Sequence, residues 1–399
     1  MRGSSLSLDY TLEPERVVTS DASAYTPLVS SLSSHLTWIE VSLDAIRNNI
    51  GRLKALTGVD VMAVVKANAY GHGMLPVART AVDAGASYCA VARISEGIEL
   101  RENGITLPVH VMGPSLEGRF KDALEHDLEI TLFQPAQVEA LRLAAASAGK
   151  PARVHLKVET GMNRIGARPE EALSLLQTLS GIPEIDVIGV FTHYACADEG
   201  DPTTTDRQEA EYLQFLQQAE ASGLRPPLVH AGNSATAVTR SQSRFDMVRA
   251  GVSMYGLHPS RDVPLPDGFL PALAWKTQLR HIHTIPAGEG ISYGHRYHTR
   301  SDERIGVIPV GYGDGWRRTD GNEVLIHGQR VPVVGRVCMD QCMLQLDSVP
   351  GAAVGDDVVL LGHQGEDAIN AEDVADRWDT INYEVTCGLT TRVPRIYLP

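Results

Sequence analysis

From Leu36 onward, apolar and polar positions follow two alternating rhythms. Short β-branched runs, apolar at nearly every position, are separated by stretches whose apolar residues recur every three or four. The first pattern belongs to strands covered on both faces and the second to amphipathic helices, so together they predict βα units around a parallel sheet. The runs are Val59 to Val65, Tyr88 to Ala92, Pro108 to Met112, Leu128 to Phe133, Arg153 to Val158, Ile185 to Thr192, Leu228 to Ala231 and Asp246 to Ala250. The first helix shows how the units are punctuated. Leu43, Ile46, Ile50 and Leu53 line one face, with Ser42 placed to cap its start and Gly58 to end it. A further helix opens at Ser95 and closes at Gly104. Eight such units over about 230 residues predict a (β/α)8 TIM barrel, whose active face lies at the C-terminal ends of the strands. An open doubly wound sheet is the alternative.

The rhythm stops near Pro259, where Pro259, Pro264, Pro266 and Pro271 mark a linker. Short alternating strands follow: Trp275 to Ile285, Arg304 to Val310, Glu323 to Ile326, Arg330 to Val334, Met343 to Leu346 and Val358 to Leu361. The expected organisation is α/β: a barrel over residues 36–265, then a mainly β C-terminal domain over residues 266–399. Residues 1–35 are serine-rich, carry mixed charge at Asp9, Glu13, Glu15, Arg16 and Asp21, and lack the apolar stretch of a secretory signal. They are expected to form a poorly ordered extension.

Composition narrows the function. A formal net charge of −14 disfavours nucleic acid and anionic membranes as partners, because both are bound through excess Lys and Arg. No apolar run reaches the roughly 18 residues a membrane span needs. Cys89, Cys196, Cys338, Cys342 and Cys387 are scattered, odd in number and without a Cys-x-x-Cys pair. That spacing argues against a disulfide framework or zinc site and suits a reducing, cytoplasmic location. Cys338 and Cys342 are expected to pack, and the histidines at 281, 283, 295 and 298 to be surface groups, so no metal is expected.

The chemistry converges on strand ends. Lys66, in AVVKANAYGHG, follows four apolar residues at the mouth of the first barrel strand. A partly desolvated ammonium there has a lowered pKa and yields a neutral amine able to attack a carbonyl. Arg164 follows strand five, His193 ends strand six, Asn233 and Ser234 end strand seven, and Arg249, Gly251 and Val252 end strand eight. Barrels of this kind bind phosphate through the loops after strands seven and eight, where Ser234, Gly251 and Val252 offer donors. A phosphate seat facing a desolvated lysine suits a phosphorylated aldehyde cofactor or a phosphorylated sugar. Pyridoxal phosphate (PLP) chemistry and a class I aldolase therefore both remain at this point.

The segments AVVKANAYGHG, ETGMNRIG, THYACADEG, AGNSAT, VRAGVSMYG, ISYGHRY, VGYGDGW, GRVCMDQCML and INYEVTCGLTTRVPR resemble the alanine racemase family, in order, from about residue 36 to the C-terminus. The resemblance implies PLP held as a Schiff base on Lys66, with phosphate contacts from Tyr70, Ser234, Tyr383 and the backbone of Gly251 and Val252. Asn233 falls in the same loop. His193 would flank the cofactor ring, and Arg249 would face its pyridine nitrogen, which a guanidinium leaves unprotonated. The substrate, alanine, would set its carboxylate against Arg164 and the backbone N–H of Met339. Lys66 would serve one face of the substrate as acid or base and Tyr293 the other, with His193 and Arg249 supplying the polar network that lowers the tyrosine's pKa. Tyr293 and Met339 would come from a partner subunit, giving a head-to-tail homodimer with shared sites. Tyr312 and Tyr383 would narrow the entrance. Lys157 matches a lysine often carbamylated in that family, which then holds the arginine, with Asp340 nearby. A PLP-dependent decarboxylase of the same architecture and a non-catalytic PLP carrier are the alternatives.

Overall fold

The computed structural model describes residues 35–399. The expectation for residues 1–35 falls, but for His35, outside the described residues. The first strand, β1 (Thr37–Ser42), leads into a helix over Leu43–Thr57. Ser42 Oγ accepts from the Ala45 N–H at 3.1 Å, and Gly58 ends the helix in the left-handed region at φ 68°. Ile46, Ile50 and Leu53 are its buried face.

The barrel strands follow as β2 (Asp60–Val64), β3 (Tyr88–Val91), β4 (Val109–Val111), β5 (Leu128–Leu132), β6 (Ala152–Lys157), β7 (Ile185–Phe191), β8 (Leu228–His230) and β9 (Met247–Ala250). Neighbours are parallel throughout, and β2 pairs with β9 as well as β3. The remaining seam, between β8 and β9, is bridged by backbone bonds from Asp246 N to Val229 O and from Arg249 N to Gly232 O. The sheet therefore curls into a nearly closed barrel, not an open doubly wound sheet. Its strands are buried almost end to end, as expected where helices cover the outside and side chains fill the inside.

The second unit comprises β10 (Leu273–Gln278), β11 (His281–Ile285), β12 (Gly290–Ile291), β13 (Tyr297–His298), β14 (Glu303–Ile308), β15 (Glu323–Ile326), β16 (Gln329–Val334), β17 (Cys342–Gln345), β18 (Asp357–Gln364), β19 (Asp367–Ile369) and β20 (Arg395–Leu398). The sequence reading treated Trp275 to Ile285 as one run. It is two strands, because the chain changes partner at Leu279 and Arg280: β10 pairs with β18, and β11 with β14.

One segment lies elsewhere than the sequence suggested. Residues 37–42, read as the start of the barrel region, pair antiparallel with β10 and parallel with β20, inside the mainly β sheet. The physical reason is local. Ile39 and Val41 point into that sheet and are fully buried, and only with the helix at Leu43 does the chain begin to wrap the barrel. Among the described residues, no helix is long and apolar enough to cross a membrane.

Candidate active site

Lys66 stands where β2 ends. Immediately after it the backbone makes one left-handed turn: Ala67, Asn68, Ala69 and Tyr70 all have φ of 52–53°. L-residues resist this conformation at roughly 1–2 kcal/mol each, so the turn must be held by its surroundings. The Asn68 side chain accepts from Met74 N at 2.8 Å, and Glu96 accepts from Ala67 N at 2.8 Å. Two glycines then allow close approach from the second unit. A Cβ at Gly71 would lie 2.0 Å from Thr386 O, and one at Gly73 1.9 Å from the Tyr397 hydroxyl. Arg395 Nε donates to Gly71 O at 3.1 Å. The turn fixes the amine of Lys66 and, four residues on, the phenol of Tyr70 at the same mouth.

Burial, reinforced by the positive charge of Arg164, lowers the Lys66 pKa. Lys66 opens into a cavity of about 1090 Å³ that also takes in Tyr70, Lys157, Arg164, His193, Asn233, Ser234, Arg249, Gly251, Val252 and Tyr383. Ser234 Oγ accepts from Gly251 N at 3.0 Å and from the Ser253 hydroxyl at 2.9 Å. The missing Cβ at Gly251 leaves a notch beside this cluster, since an added carbon would sit 2.8 Å from the Tyr70 hydroxyl and 3.7 Å from Ser234 Oγ. The hydroxyls of Tyr70 and Ser234 thus border a notch that would suit an anion. Burial raises the pKa of both Tyr70 and Tyr383, so each stays a neutral donor. The Asn233 side chain is occupied otherwise: Oδ1 accepts from Thr236 N at 3.0 Å, and Thr236 Oγ1 accepts from Asn233 N at 2.9 Å.

Across the cavity, buried Arg249 donates through Nη2 to Thr192 O at 2.9 Å, Ala231 O at 2.8 Å and His193 Nδ1 at 3.1 Å. Through Nη1 it donates to His230 Nδ1 at 3.1 Å. Burial lowers its pKa to about 10, which leaves it charged at neutral pH. Burial, then Arg249, pushes the His193 pKa far down. The sequence reading gave His193 and Arg249 a joint electropositive role. The charge resides on Arg249 alone, and His193 is a neutral ring whose Nδ1 is taken, leaving Nε2–H as its donor.

Lys157 is buried at the end of β6, with Nζ 2.9 Å from Val158 O. Burial lowers its pKa to about 7. Arg164 sits in an exposed loop shaped by Glu159. Against the opposing pull of burial, backbone N–H groups of Asn163, Gly161 and Arg164 keep that carboxyl below its usual pKa.

Three predicted residues lie outside this cavity. Tyr293, Met339 and Tyr312 are exposed at 68%, 53% and 44% and form their own patch on the second unit. There Ser292 Oγ donates to Arg336 O at 2.6 Å and Tyr312 N to Cys338 O at 3.0 Å. Asp340 pairs with Arg392 at 2.7 Å, not with Lys157. Sequence reasoning also missed a polar layer beneath the cavity: His110, His155, His230 and Glu129, all buried. The signal was present as Val-His pairs in strands that otherwise read as apolar, at 109–110, 154–155 and 229–230.

An amine of lowered pKa and an anion notch in one cavity, with a buried guanidinium across it and a β domain packed on the lysine loop, fit PLP. Lys66 suits the aldehyde, Tyr70, Ser234 and Gly251 the phosphate, and Arg249 the pyridine nitrogen. The fold and cavity thus define a PLP-binding barrel enzyme with an appended β domain. Comparison with known proteins gives the family. Sequence models described as "Alanine racemase, N-terminal domain" and "Alanine racemase, C-terminal domain" match residues 41–259 and 272–397. Alanine racemase from Halothermothrix orenii is 41% identical over 90% of this chain and 96% of its own. That from Geobacillus kaustophilus is 44% identical over 90% and 94%. The crystal structure of alanine racemase from Bacillus anthracis with bound L-Ala-P superposes with a TM-score of 0.87 at 42% identity, covering 92% of this chain and 95% of that one. This chain belongs to the alanine racemase family, whose members are PLP-dependent isomerases.

Proposed function

We propose that the protein interconverts L- and D-alanine with PLP held on Lys66, and that two copies complete each other's sites. The observation that carries the reading is the separation of the two candidate bases. Lys66 faces the anion notch inside the cavity, whereas Tyr293 projects into solvent from the β domain with Met339 and Tyr312 beside it. Inverting a stereocentre takes an acid and a base on opposite faces, so a Tyr293 in solvent needs a second barrel mouth to serve. A head-to-tail homodimer supplies one.

When bound, the cofactor supplies an electron-accepting ring linked to the substrate nitrogen, which makes the Cα proton removable. The chain does the rest. Lys66, its ammonium disfavoured by burial and by the charge of Arg164, exchanges a proton at Cα on one face. Tyr293 of the partner subunit exchanges it on the other, where its hydroxyl would meet the Nε2–H of His193. Arg164 and the backbone N–H of Met339 of the partner subunit grip the carboxylate. Arg249 would hold the ring nitrogen as a donor that does not surrender its proton, so the bound ring would be a weaker electron sink than one paired with a carboxylate. Tyr383 of this chain and Tyr312 of the partner subunit narrow the opening, leaving little room beyond a methyl group.

Lys157, with a pKa near 7, is neutral often enough to add to CO2, giving a carbamate and releasing one proton. The anionic product would hold Arg164 where a lysine ammonium repels it. The reading extends to a cytoplasmic enzyme supplying D-alanine to peptidoglycan, in keeping with free cysteines among the described residues. A chiral assay of the PLP-loaded protein on a panel of L-amino acids tests the activity. D-alanine without CO2 release is expected, and CO2 release would mark a decarboxylase instead.

A further inference from the structure

Beneath the cavity, alternate strands of the barrel contribute one layer of side chains, normally aliphatic. Here β4, β6 and β8 contribute His110, His155 and His230, all fully buried. From Arg249 a continuous line of hydrogen bonds runs through this layer. Arg249 Nη1 meets His230 Nδ1 at 3.1 Å, His230 Nε2 meets His155 Nδ1 at 3.0 Å, and His155 Nε2 meets Glu129 Oε2 at 2.8 Å. Glu129 Oε1 lies 2.9 Å from Arg153 Nη2, which is half exposed toward the far rim. We propose that Glu129 is a positioning residue: by closing the chain Arg249–His230–His155–Glu129 it fixes one tautomer on each histidine, and so sets the face that Arg249 presents to the cavity.

The direction of every link follows from its two ends. A guanidinium only donates, so His230 Nδ1 accepts and the single proton of a neutral ring sits on Nε2. That proton goes to His155 Nδ1, which forces the His155 proton onto Nε2, where a carboxylate receives it. Reversing any ring would set two donors against each other at one end and two lone pairs at the other. His110 is fixed independently. The Thr131 hydroxyl donates to Val111 O at 2.8 Å, so at 2.9 Å it can only accept from His110 Nε2. With His193, whose Nδ1 accepts from Arg249, four histidines should all carry the proton on Nε2.

The backbone is shaped around this line. The register of β6 against β7 shifts between Val154 and His155, and the facing residue is Gly189, where a Cβ would lie 2.3 Å from His155 Nδ1. The His110 ring stacks on His155 at 4.0 Å, and Tyr88 meets it edge-on at 6.3 Å. The ring nitrogens of the three histidines lie close enough to hold a cation. Both nitrogens of His155 and His230 are already spent on the chain, so a metal would have to break one of its links.

The inference rests on the PLP reading for its effect on turnover, but its primary readout does not. The PLP-loaded, 15N-histidine-labelled protein should show His110, His155, His193 and His230 all protonated at Nε2 and bare at Nδ1 at pH 7. Glu129→Leu, which removes the last acceptor, should release the tautomers of His155 and His230 and lower kcat on the order of ten-fold with KM for alanine little changed. Glu129→Gln still offers an oxygen and should restore both. An imidazolium or an Nδ1–H at His155 or His230 in the unaltered protein would overturn the proposal. So would unchanged signals and kcat in Glu129→Leu, failure of rescue by Gln, or one equivalent of zinc retained on these rings. Loss of racemisation with the four signatures intact would instead count against the functional reading alone.

Discussion

At the scale of residues, three side chains carry separable consequences. Replacing Lys66 with alanine removes the amine at the end of the first barrel strand, and the purified protein should lose both its visible absorbance with PLP and its turnover. Retained colour would show the cofactor attached elsewhere. Tyr293→Phe keeps the ring and deletes the proton, so exchange of the α-proton should fall much more for one enantiomer than for the other when followed in deuterated water. Equal loss from both would contradict the assignment of faces. Lys157 adds a dependence on dissolved CO2. Its folded pKa of about 7 means that raising the pH through neutrality frees the amine, so carbamate should accumulate on the alkaline side. A carbon-13 carbamate signal after bicarbonate labelling, absent in Lys157→Ala, would verify it, and KM for alanine should rise when CO2 is stripped.

At the scale of elements, the left-handed turn after Lys66 is the costly one. Four L-residues there cost together roughly 4–8 kcal/mol, and contacts from Thr386, Arg395 and Tyr397 offset that cost. Gly73→Ala should lower stability by about 2–4 kcal/mol, through positive φ and a clash with Tyr397, and should be read as a fall in Tm with weakened PLP binding. The buried histidines predict an acid limb. Burial lowers His72 to about 4 and holds His110 and His230 well below the usual histidine value. Unfolded histidines take up protons near pH 6.5, whereas these do not, so the stability they lend at neutral pH drains away as pH falls below about 6.5. Urea midpoints at pH 7 and pH 5 should differ in that direction. The barrel strands were legible because two-sided burial writes itself as unbroken apolar runs, and Lys66 because a charge ending such a run stands out. β1 and β20 were not, since a few apolar residues name no partner strand. Nor was the histidine layer, whose rings sit in apolar runs and gain meaning only when alternate strands meet around an axis.

At the scale of the whole molecule, the cavity on the barrel and the Tyr293 patch on the β sheet are complementary halves. If two copies exchange them, mixing Lys66→Ala with Tyr293→Phe protein should regenerate activity, because a mixed pair holds one site with both lesions and one with neither. Statistical reassembly should restore about a quarter of the unaltered activity. Sedimentation should show the pair, and no recovery on mixing would mean that each chain serves itself.

The placement of β1 between β10 and β20 carries a consequence for biosynthesis. Thr37–Ser42 emerges from the ribosome well before its neighbours at Leu273–Gln278 and Arg395–Leu398. At translation rates of about 5–20 residues per second, the wait for the last of them is roughly 20–70 s. The barrel between has time to assemble while the opening strand still lacks its slot. The closing residues then act as a latch, and trimming the chain before Arg395 should leave nascent protein with a bare strand edge and a tendency to aggregate.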